Sequence, residues 1–574
     1  MPKELGAIYT PEGHARILTT WAIRSGTDIV LDMGIGPGIF VYQSYKRLIR
    51  LGAKKSKAVN QIYGSEIDKT VFNNFSEEAS KQGLTFKNLQ NVNFFDSSYP
   101  ELDAIVGNPP YVRRRGMLKE NLEAIRTKTL KNNSSLVDAD LSNLSDLYVY
   151  FLLYALPLLK PGGRLATIIA DSWLNTRYGI SLKKYLLKEF DINQIVSLDR
   201  SVFEDVQVKA VLVLASKKKE VKKKQYSIRF ARVRNGLAIA ELSSFVMYRK
   251  RKSLKDIIVR EIQSDTLKAE SSWGAILKST TLFDEISHKN NIKPIREIAD
   301  IQIGLETLAK DFFVFSNQEK ETGIVEGKYL KPFAYSVYDF DTPVINKADI
   351  PNQYLFYCAE PKNKLKNTKA LEYITQGEAV EVAIRGTDRS VIGYHNKERI
   401  QKARRPNWYD VKTECDKKLI AEILVPRFIY KDYQVLWNSA RYIPGGAVIQ
   451  FFPRENLFVH SVDAKVYLAI LTSSFTEIAL RINAQVYGGG TSNLGITAVK
   501  ESPTVDVASL TPEQKTGLIK AYDSFLENQD KTQINQAIYE ILELNKKQIM
   551  KMNKLLLELR NIAESAKKSA HPTK

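Results

Sequence analysis

The chain has 574 residues, 44% hydrophobic, 26% charged and 10% aromatic, which excludes disordered and collagen-like classes and predicts roughly two to four domains, each able to bury a core. Lysine and arginine outnumber aspartate and glutamate by 84 to 64, for a net charge of +20 and a pI near 9.4; this is the footprint of a protein that tracks a phosphate backbone, although a solubility charge or an anionic membrane surface gives the same excess. Two cysteines, Cys358 and Cys415, exclude a disulfide framework or a multi-cysteine zinc centre, and no structural metal is expected. No window approaches ~18 uninterrupted apolar residues, and the first residues have neither a signal core nor a transit composition, so a cytoplasmic protein with no membrane partner is expected.

From Ile29 to about Ala215, short β-branched runs alternate with helical stretches. The runs fall at residues 28–34, 61–68, 92–96, 103–111, 164–171, 192–198 and 210–215. This alternation predicts an α/β fold with a Rossmann-like, mostly parallel doubly wound sheet. Residues 217–224, six lysines and one glutamate, read as a solvated turn in the region where the first domain, 1–243, ends. Residues 244–505 are irregular, interleave basic and aromatic residues, and predict a separate α+β domain. Residues 506–574 read as a helical C-terminal segment. There Ile538, Leu542, Asn545, Ile549, Met552, Leu556 and Leu559 alternate four and three apart, an apolar stripe that favours a helix packed on its own domain over an intermolecular coiled coil.

Asp32 closes the first run and is followed by Gly34, Gly36 and Gly38. Such a turn brings backbone amides and a helix N-terminus close to a nucleotide-like ligand, although a tight connection uses the same residues and the spacing departs from G-x-G-x-x-G. Glu66, at the tip of the second strand, offers two acceptor oxygens to a ribose diol. Its distance from the glycine loop predicts an intervening helix extended through the basic residues 54–57. Asp96, expected to end the third strand, fits either an acceptor for an adenine amine or a plain turn aspartate. At the tip of the fourth strand stands Asn108-Pro109-Pro110-Tyr111. The two prolines stiffen the backbone, so that the asparagine oxygen and a neighbouring carbonyl converge on one spot. Two acceptors on an NH₂ group draw electron density to nitrogen and free its lone pair for attack. Tyr111 adds a face for a planar heterocycle or amide.

Tyr9-Thr10-Pro11, residues 32–38, Glu66, Asp96, the Asn-Pro-Pro-Tyr motif and Leu159-Lys160-Pro161-Gly162-Gly163 follow one another in an order that resembles the gamma-class, Taq-like DNA adenine-N6 methyltransferases of Type II restriction–modification systems, over roughly residues 5–215. The resemblance implies S-adenosyl-L-methionine as cofactor and double-stranded DNA as partner. It implies that Tyr9, Thr10 and Pro11 close over the methionine part, held by Asp32, Gly34, Gly36 and Gly38. Glu66 would bind the ribose, Ile67 pack on the cofactor adenine, and Asp96 contact its amino group. Asn108 and Pro109, followed by Pro110, would grip the target amine, with Asn108 also bordering the cofactor. Tyr111 and Phe203 would contact the target base from its two sides.

Residues 301–305, 312–315, 328–333, 467–473 and 488–490 look, less sharply, like the target-recognition domains of Type II and IIG adenine methyltransferases. The residues agree: Arg404, Arg405, Trp408, Arg427, Tyr430, Lys431, Arg441 and Arg481 interleave donors for phosphates and guanine edges with aromatic rings. Arg113, Arg114 and Arg115 are placed to hold phosphates beside an extruded nucleotide. Such an enzyme rotates its target base out of the stack, and catalysis is then positioning, with no call on a metal, a cysteine or the five histidines.

Several rivals share these motifs. A protein-glutamine methyltransferase would use the same acceptor pair but resembles a shorter chain; an RNA or cytosine-N4 enzyme is less easily set aside. A non-catalytic DNA-binding subunit of a larger modification complex conflicts with the intact Asn108, Pro109 and Tyr111. A fused nuclease is disfavoured because the cofactor motif begins at Tyr9. A monomer or dimer is expected, and such a system implies a cognate restriction endonuclease as a separate genetic partner.

Overall fold

A computed structural model describes residues 9–111, 119–133, 136, 146–199, 202, 209–220, 225–234, 237–248, 256–384, 389–454, 463–486 and 491–570. The chain divides into two units, Met1–Ser279 with Ser565–Lys574, and Thr280–Glu564. Among the described residues no helix is long and apolar enough to cross a membrane.

The first unit is built on a nine-stranded sheet. Its strands are β1 (Val30–Asp32), β2 (Ile62–Ser65), β3 (Leu89–Gln90), β4 (Leu102–Gly107), β5 (Leu159–Ala170), β6 (Phe190–Leu198), β7 (Ala210–Lys217), β8 (Ser227–Val233) and β9 (Ile257–Gln263). The spatial order is β3-β2-β1-β4-β5-β7-β6-β8-β9. β7 runs antiparallel to both β5 and β6, and β9 antiparallel to β8; the remaining pairs are parallel. The strands between the edge strands β3 and β9 are largely buried on both faces, and their period of two sorts alternate residues into two cores. Ile105, Leu165, Ile169, Val211 and Val213 join one cluster, while Ala104, Val106, Ala166, Ile168 and Leu212 join the other.

Four expectations change here. Residues 92–96 are not a strand: Phe94–Asp96 form a 3₁₀ turn started by the Asn93 side chain, which accepts from the Phe95 N–H at 3.1 Å. The helix after the glycine loop ends at Arg50, and residues 54–57 lie beyond it, with Lys54 as the extended N-cap of the short helix Lys55–Ala58. The lysine-rich stretch lies between two strands of one sheet and is no domain edge, because β8 and β9 continue that sheet past it. The first unit accordingly runs to Ser279, and a cut at 243 would fall inside the helix Ile239–Met247.

The second unit combines small sheets with helices. Strands Ala299–Ile303, Val448–Pro453, Ile423–Pro426 and Leu436–Trp437 form one sheet; Val314–Ser316, Gln353–Phe356, Leu330–Ala334 and Ile443–Pro444 form another. Phe312 anchors its core, stacked on Tyr373 with ring centroids 4.8 Å apart. Helices Pro512–Asn528 and Thr532–Ile541 also belong to this unit, so residues 506–564 are part of it rather than a separate segment. The apolar stripe is interrupted too: one helix ends at Ile541, Glu543 takes a left-handed φ of 52°, and another helix starts at Lys546. Asn545, the polar member of the stripe, exchanges side-chain-to-backbone hydrogen bonds with Gln548 at 3.0 Å each, a reciprocal N-terminal cap. Ile538, Leu542, Met552, Leu556 and Leu559 are buried.

Candidate active site

Parallel pairing carries the C-terminal ends of β1, β2 and β4 to one edge of the sheet, and the loops that leave these strands build the site. Asp32 ends β1 and is 1% exposed. Its Oδ1 accepts from the Gly34 N–H at 3.3 Å, while Oδ2 is buried with no hydrogen-bond partner among the described residues. Burial, with a further contribution from the Glu66 charge, pushes the carboxyl well above the ordinary range. The loop then turns through Gly36 at φ 49° and Gly38 at φ 86°. Gly38 starts the helix Ile39–Arg50, and a Cβ there would lie 2.3 Å from the Phe75 ring, so the position takes no side chain.

Glu66 leaves β2 and ties this loop down: Oε2 accepts from the Gly36 N–H at 2.9 Å and Oε1 from the Asp68 N–H at 3.0 Å. A carboxylate has acceptor sites beyond these two. Tyr9 lies over the loop, its ring 3.4 Å from where a Gly36 Cβ would stand. Partial burial, then the charges of Glu66 and Asp68, raise its hydroxyl pKa. Beside it the Thr10 Oγ1 is buried with no hydrogen-bond partner among the described residues, and Pro11 opens the helix Glu12–Ala22. Ile67 is 57% exposed, a bare aliphatic side chain next to Glu66. The structure brings these residues together around the loop that follows β1.

Asn108 leaves β4 directly after Gly107, whose φ of 135° is open only to glycine in practice. A Cβ on Gly107 would stand 2.8 Å from Asp32 Oδ1 and 3.1 Å from the Met33 nitrogen. The glycine therefore lets the Asn-Pro-Pro-Tyr turn start flush against the end of β1. Thr167, buried on β5, donates to the Gly107 carbonyl at 2.8 Å and fixes that peptide. Thr167 escaped the sequence reading; its signal was a lone hydroxyl within the apolar run of β5. Pro109 is buried, Asn108 and Pro110 half-buried. The Tyr111 hydroxyl donates to the Ile168 carbonyl at 3.2 Å, its ring meets Tyr148 edge-on at 5.9 Å, and burial raises its pKa well above the ordinary value.

Other expected residues stand apart. Asp96 lies in the 3₁₀ turn rather than at a strand end, and its carboxylate is paired with the Lys128 ammonium. Phe203, Arg113, Arg114, Arg115 and residues 488–490 lie outside the described residues. In the second unit Arg404, Tyr430, Lys431 and Arg441 are exposed, and Arg441 reaches Glu422 at 3.1 Å. Arg405 does not fit a phosphate contact: its side chain is 5% exposed, donates to the carbonyls of Thr307 and Glu306 at 3.3 and 3.2 Å, and lies over the Phe313 ring. Trp408 is packed on Phe312 and donates its indole N–H to Glu378 at 2.8 Å, which makes it a core residue. Arg427 is mostly covered and bonded to Glu306 and the Gly446 carbonyl, and Arg481 is buried against Glu477. Among the described residues no cluster of three histidine, cysteine, aspartate or glutamate side chains could hold a metal ion.

Residues 40–203 match the Eco57I restriction-modification methylase family, and residues 275–550 match the C-terminal domain of the Type II methyltransferase M.Eco57I. The chain belongs to the Type II restriction-modification methyltransferase family. It is 23% identical over 559 residues to the Type II methyltransferase M.AccI of Acinetobacter calcoaceticus, covering 94% of this chain and 93% of that one. M.BanIII of Aneurinibacillus aneurinilyticus is 24% identical over 488 residues, 75% and 79% of the two chains. Among solved structures, the Type IIL restriction-modification enzyme MmeI in complex with DNA aligns over 98% of this chain and 72% of its own, with a TM-score of 0.52 at 13% identity, a likeness of fold.

Proposed function

We propose that this chain is a site-specific DNA methyltransferase that transfers a methyl group from S-adenosyl-L-methionine to the N6 amine of an adenine rotated out of duplex DNA, as the modification enzyme of a restriction–modification system. One observation carries the reading: Gly107 seats the Asn108-Pro109-Pro110-Tyr111 turn against Asp32, so the amine-accepting motif and the glycine loop share one strand edge.

The residues present fit the cofactor. Asp32 Oδ2 and Thr10 Oγ1 are buried polar atoms lacking a hydrogen-bond partner among the described residues, and a cationic donor such as the ammonium of an amino-acid end would satisfy them. Asp32 and Thr10 would hold that end, Glu66 the ribose, and the exposed Ile67 the adenine face. Asp96 remains the candidate for the adenine amine and would share its carboxylate with Lys128. When bound, the cofactor supplies a methyl group already activated on a sulfonium. Asn108 would accept from the target amine and hold its lone pair in line, and Tyr111 would wall the base pocket. Positioning and charge stabilisation of this kind suffice for the reaction.

The second unit is the candidate for sequence reading, which the match of residues 275–550 to a methyltransferase C-terminal domain supports. Exposed Arg404, Lys431 and Arg441 are its candidate backbone contacts. The test is to sequence plasmid DNA from an expressing strain with modification-sensitive chemistry. N6-methyladenine at one short motif is expected, absent from the Asn108→Ala strain; N4-methylcytosine or unmodified DNA overturns the reading.

A further inference from the structure

The opposite edge of the first sheet carries a feature that methyl transfer does not use. Asp32, Glu66 and Asn108 stand at the C-terminal ends of their strands. At the other edge, where the chain enters β2 and β3, a groove of about 820 Å³ opens against the last turns of the helix Ile39–Arg50. Four exposed cations line it, Lys46, Arg50, Lys55 and Lys87, and no carboxylate does. Lys46 lies 3.7 Å from Glu12 in an exposed pair, an interaction of little worth. Arg50, Lys55 and Lys87 form no ion pair among the described residues.

The floor is different in kind. Tyr45, Val59 and Leu84 line the same groove and are half-buried, with Tyr45 held edge-on to Phe86 at a centroid separation of 6.1 Å. Long basic side chains lay their stems along such apolar surface and present the charged heads at its rim. Like charges grouped without an acid repel one another, and an anionic occupant relieves that repulsion beyond what water and salt screen. The cations come from three separate stretches of chain, the end of the helix Ile39–Arg50, the short helix Lys55–Ala58 and the segment before β3, around a groove of about 820 Å³, which suits a row of phosphates better than one small anion.

We propose that this groove is a second, sequence-independent contact for the phosphodiester backbone of duplex DNA, on the sheet edge away from the reacting groups. It rests on the reading of the chain as a DNA enzyme. The test uses the full chain with Arg50→Glu, Lys55→Glu and Lys87→Glu combined, beside a charge-matched control, Lys547→Glu, Lys551→Glu and Lys554→Glu. Binding of a random-sequence duplex of ~60 base pairs is measured against salt, with melting temperature and cofactor affinity recorded for each protein. The groove variant is expected to lose about 2–3 from the log–log salt slope, at about 0.9 per phosphate, and at least about tenfold in affinity at ~100 mM salt. Its cofactor affinity and melting temperature should stay at the wild-type values, and the control should lose less affinity and less slope. If the triple variant unfolds, the single changes Lys55→Gln and Lys87→Gln carry the same test, each expected to remove about 0.9 from the slope. An unchanged slope, an equal fall in the control, or saturable binding of AMP in place of duplex overturns the second site. Wild-type protein that methylates plasmid DNA while the groove variant keeps its salt slope defeats this inference alone; wild-type protein that neither binds nor methylates DNA defeats the functional reading, and this site with it.

Discussion

Two buried carboxylates, one in each unit, have opposite surroundings. Asp32 is 1% exposed and has one backbone N–H on Oδ1 and nothing on Oδ2 among the described residues. Glu477 is fully buried and saturated: Oε1 accepts from Arg481 Nε at 2.7 Å and Arg560 Nε at 2.9 Å, and Oε2 from Arg560 Nη2 at 2.6 Å. Burial drives the Asp32 carboxyl up. Burial would do the same to Glu477, but its arginines and Lys531 hold it below the ordinary value. A buried charge with its partners built in joins elements together, here the helices Ser474–Asn483 and Lys546–Ala570; a buried charge without them awaits a ligand.

The contrast breaks first at Asn108. Asn108→Ala should lower methyl transfer by about 1,000-fold or more, about 4 kcal/mol of barrier, with cofactor affinity within about twofold, because the lost acceptor faces the target amine. Single-turnover transfer and calorimetric titration read the two quantities; retained turnover removes the motif from the mechanism. Next in size, Glu477→Gln should destabilise the protein by roughly 3–5 kcal/mol, since two arginines lose their counter-charge in a dry site. The pH dependence has a definite sign. A carboxyl depressed in the fold contributes stability that is present above its unfolded value and lost as pH falls through its folded one. Wild type should therefore lose more stability on acidification than the glutamine variant, which keeps only the part of the acid limb owed to other depressed carboxyls such as Glu326 and Glu378.

The alternation of apolar runs located six of the nine strands, β1, β2 and β4 to β7, misplaced β3 and named no run at β8 or β9. Where a strand is walled on both sides, as β4 to β7 are, its run is continuous and conspicuous. The edge strands β3 and β9 are short or half-polar, and the first was misplaced onto the Phe94–Asp96 turn. The loops at the strand tips were legible because glycine and proline declare backbone geometry, as Gly38 and Gly107 do. The second unit was harder to read because arginine and tryptophan serve structure and recognition alike. Arg405 and Trp408 resemble nucleic-acid contacts in sequence, and only their partners, the carbonyls of residues 306 and 307 and the Glu378 carboxylate, show them to be internal. The Asn545 cap carried its own signal in the Asn-x-x-Gln spacing, which the four-three stripe obscured.

Asp32→Asn sharpens the comparison from the other side. Removing an uncompensated buried charge should stabilise the cofactor-free protein by about 1–3 kcal/mol at pH 7 while weakening cofactor binding at least about tenfold. The folded pKa is raised, so the cost is absent below the ordinary value of 3.8, grows as pH climbs towards the folded value, and is constant above it. Melting temperatures of the two proteins should converge near the acid end and separate on the way to neutrality. A variant less stable than wild type across that range would mean that Asp32 has partners in the free protein.

The smallest effects separate two neighbours in the chain. Arg405 is 5% exposed and bonded to two carbonyls; Arg405→Ala should cost about 1–2 kcal/mol of stability through those lost bonds and leave the salt slope of DNA binding unchanged. Arg404 is exposed at the end of the preceding helical turn, held at φ 51°, and alanine keeps that backbone cost the same. Arg404→Ala should therefore change stability by less than about 0.5 kcal/mol and, if the side chain meets a phosphate, remove about 0.9 from the log–log salt slope. Denaturant unfolding and salt-dependent binding on the two variants decide the matter, because each measurement moves for one residue and stays still for the other. The reverse pattern, stability lost at 404 and salt slope lost at 405, would show that exposure is a poor guide to which basic residues of the second unit face DNA.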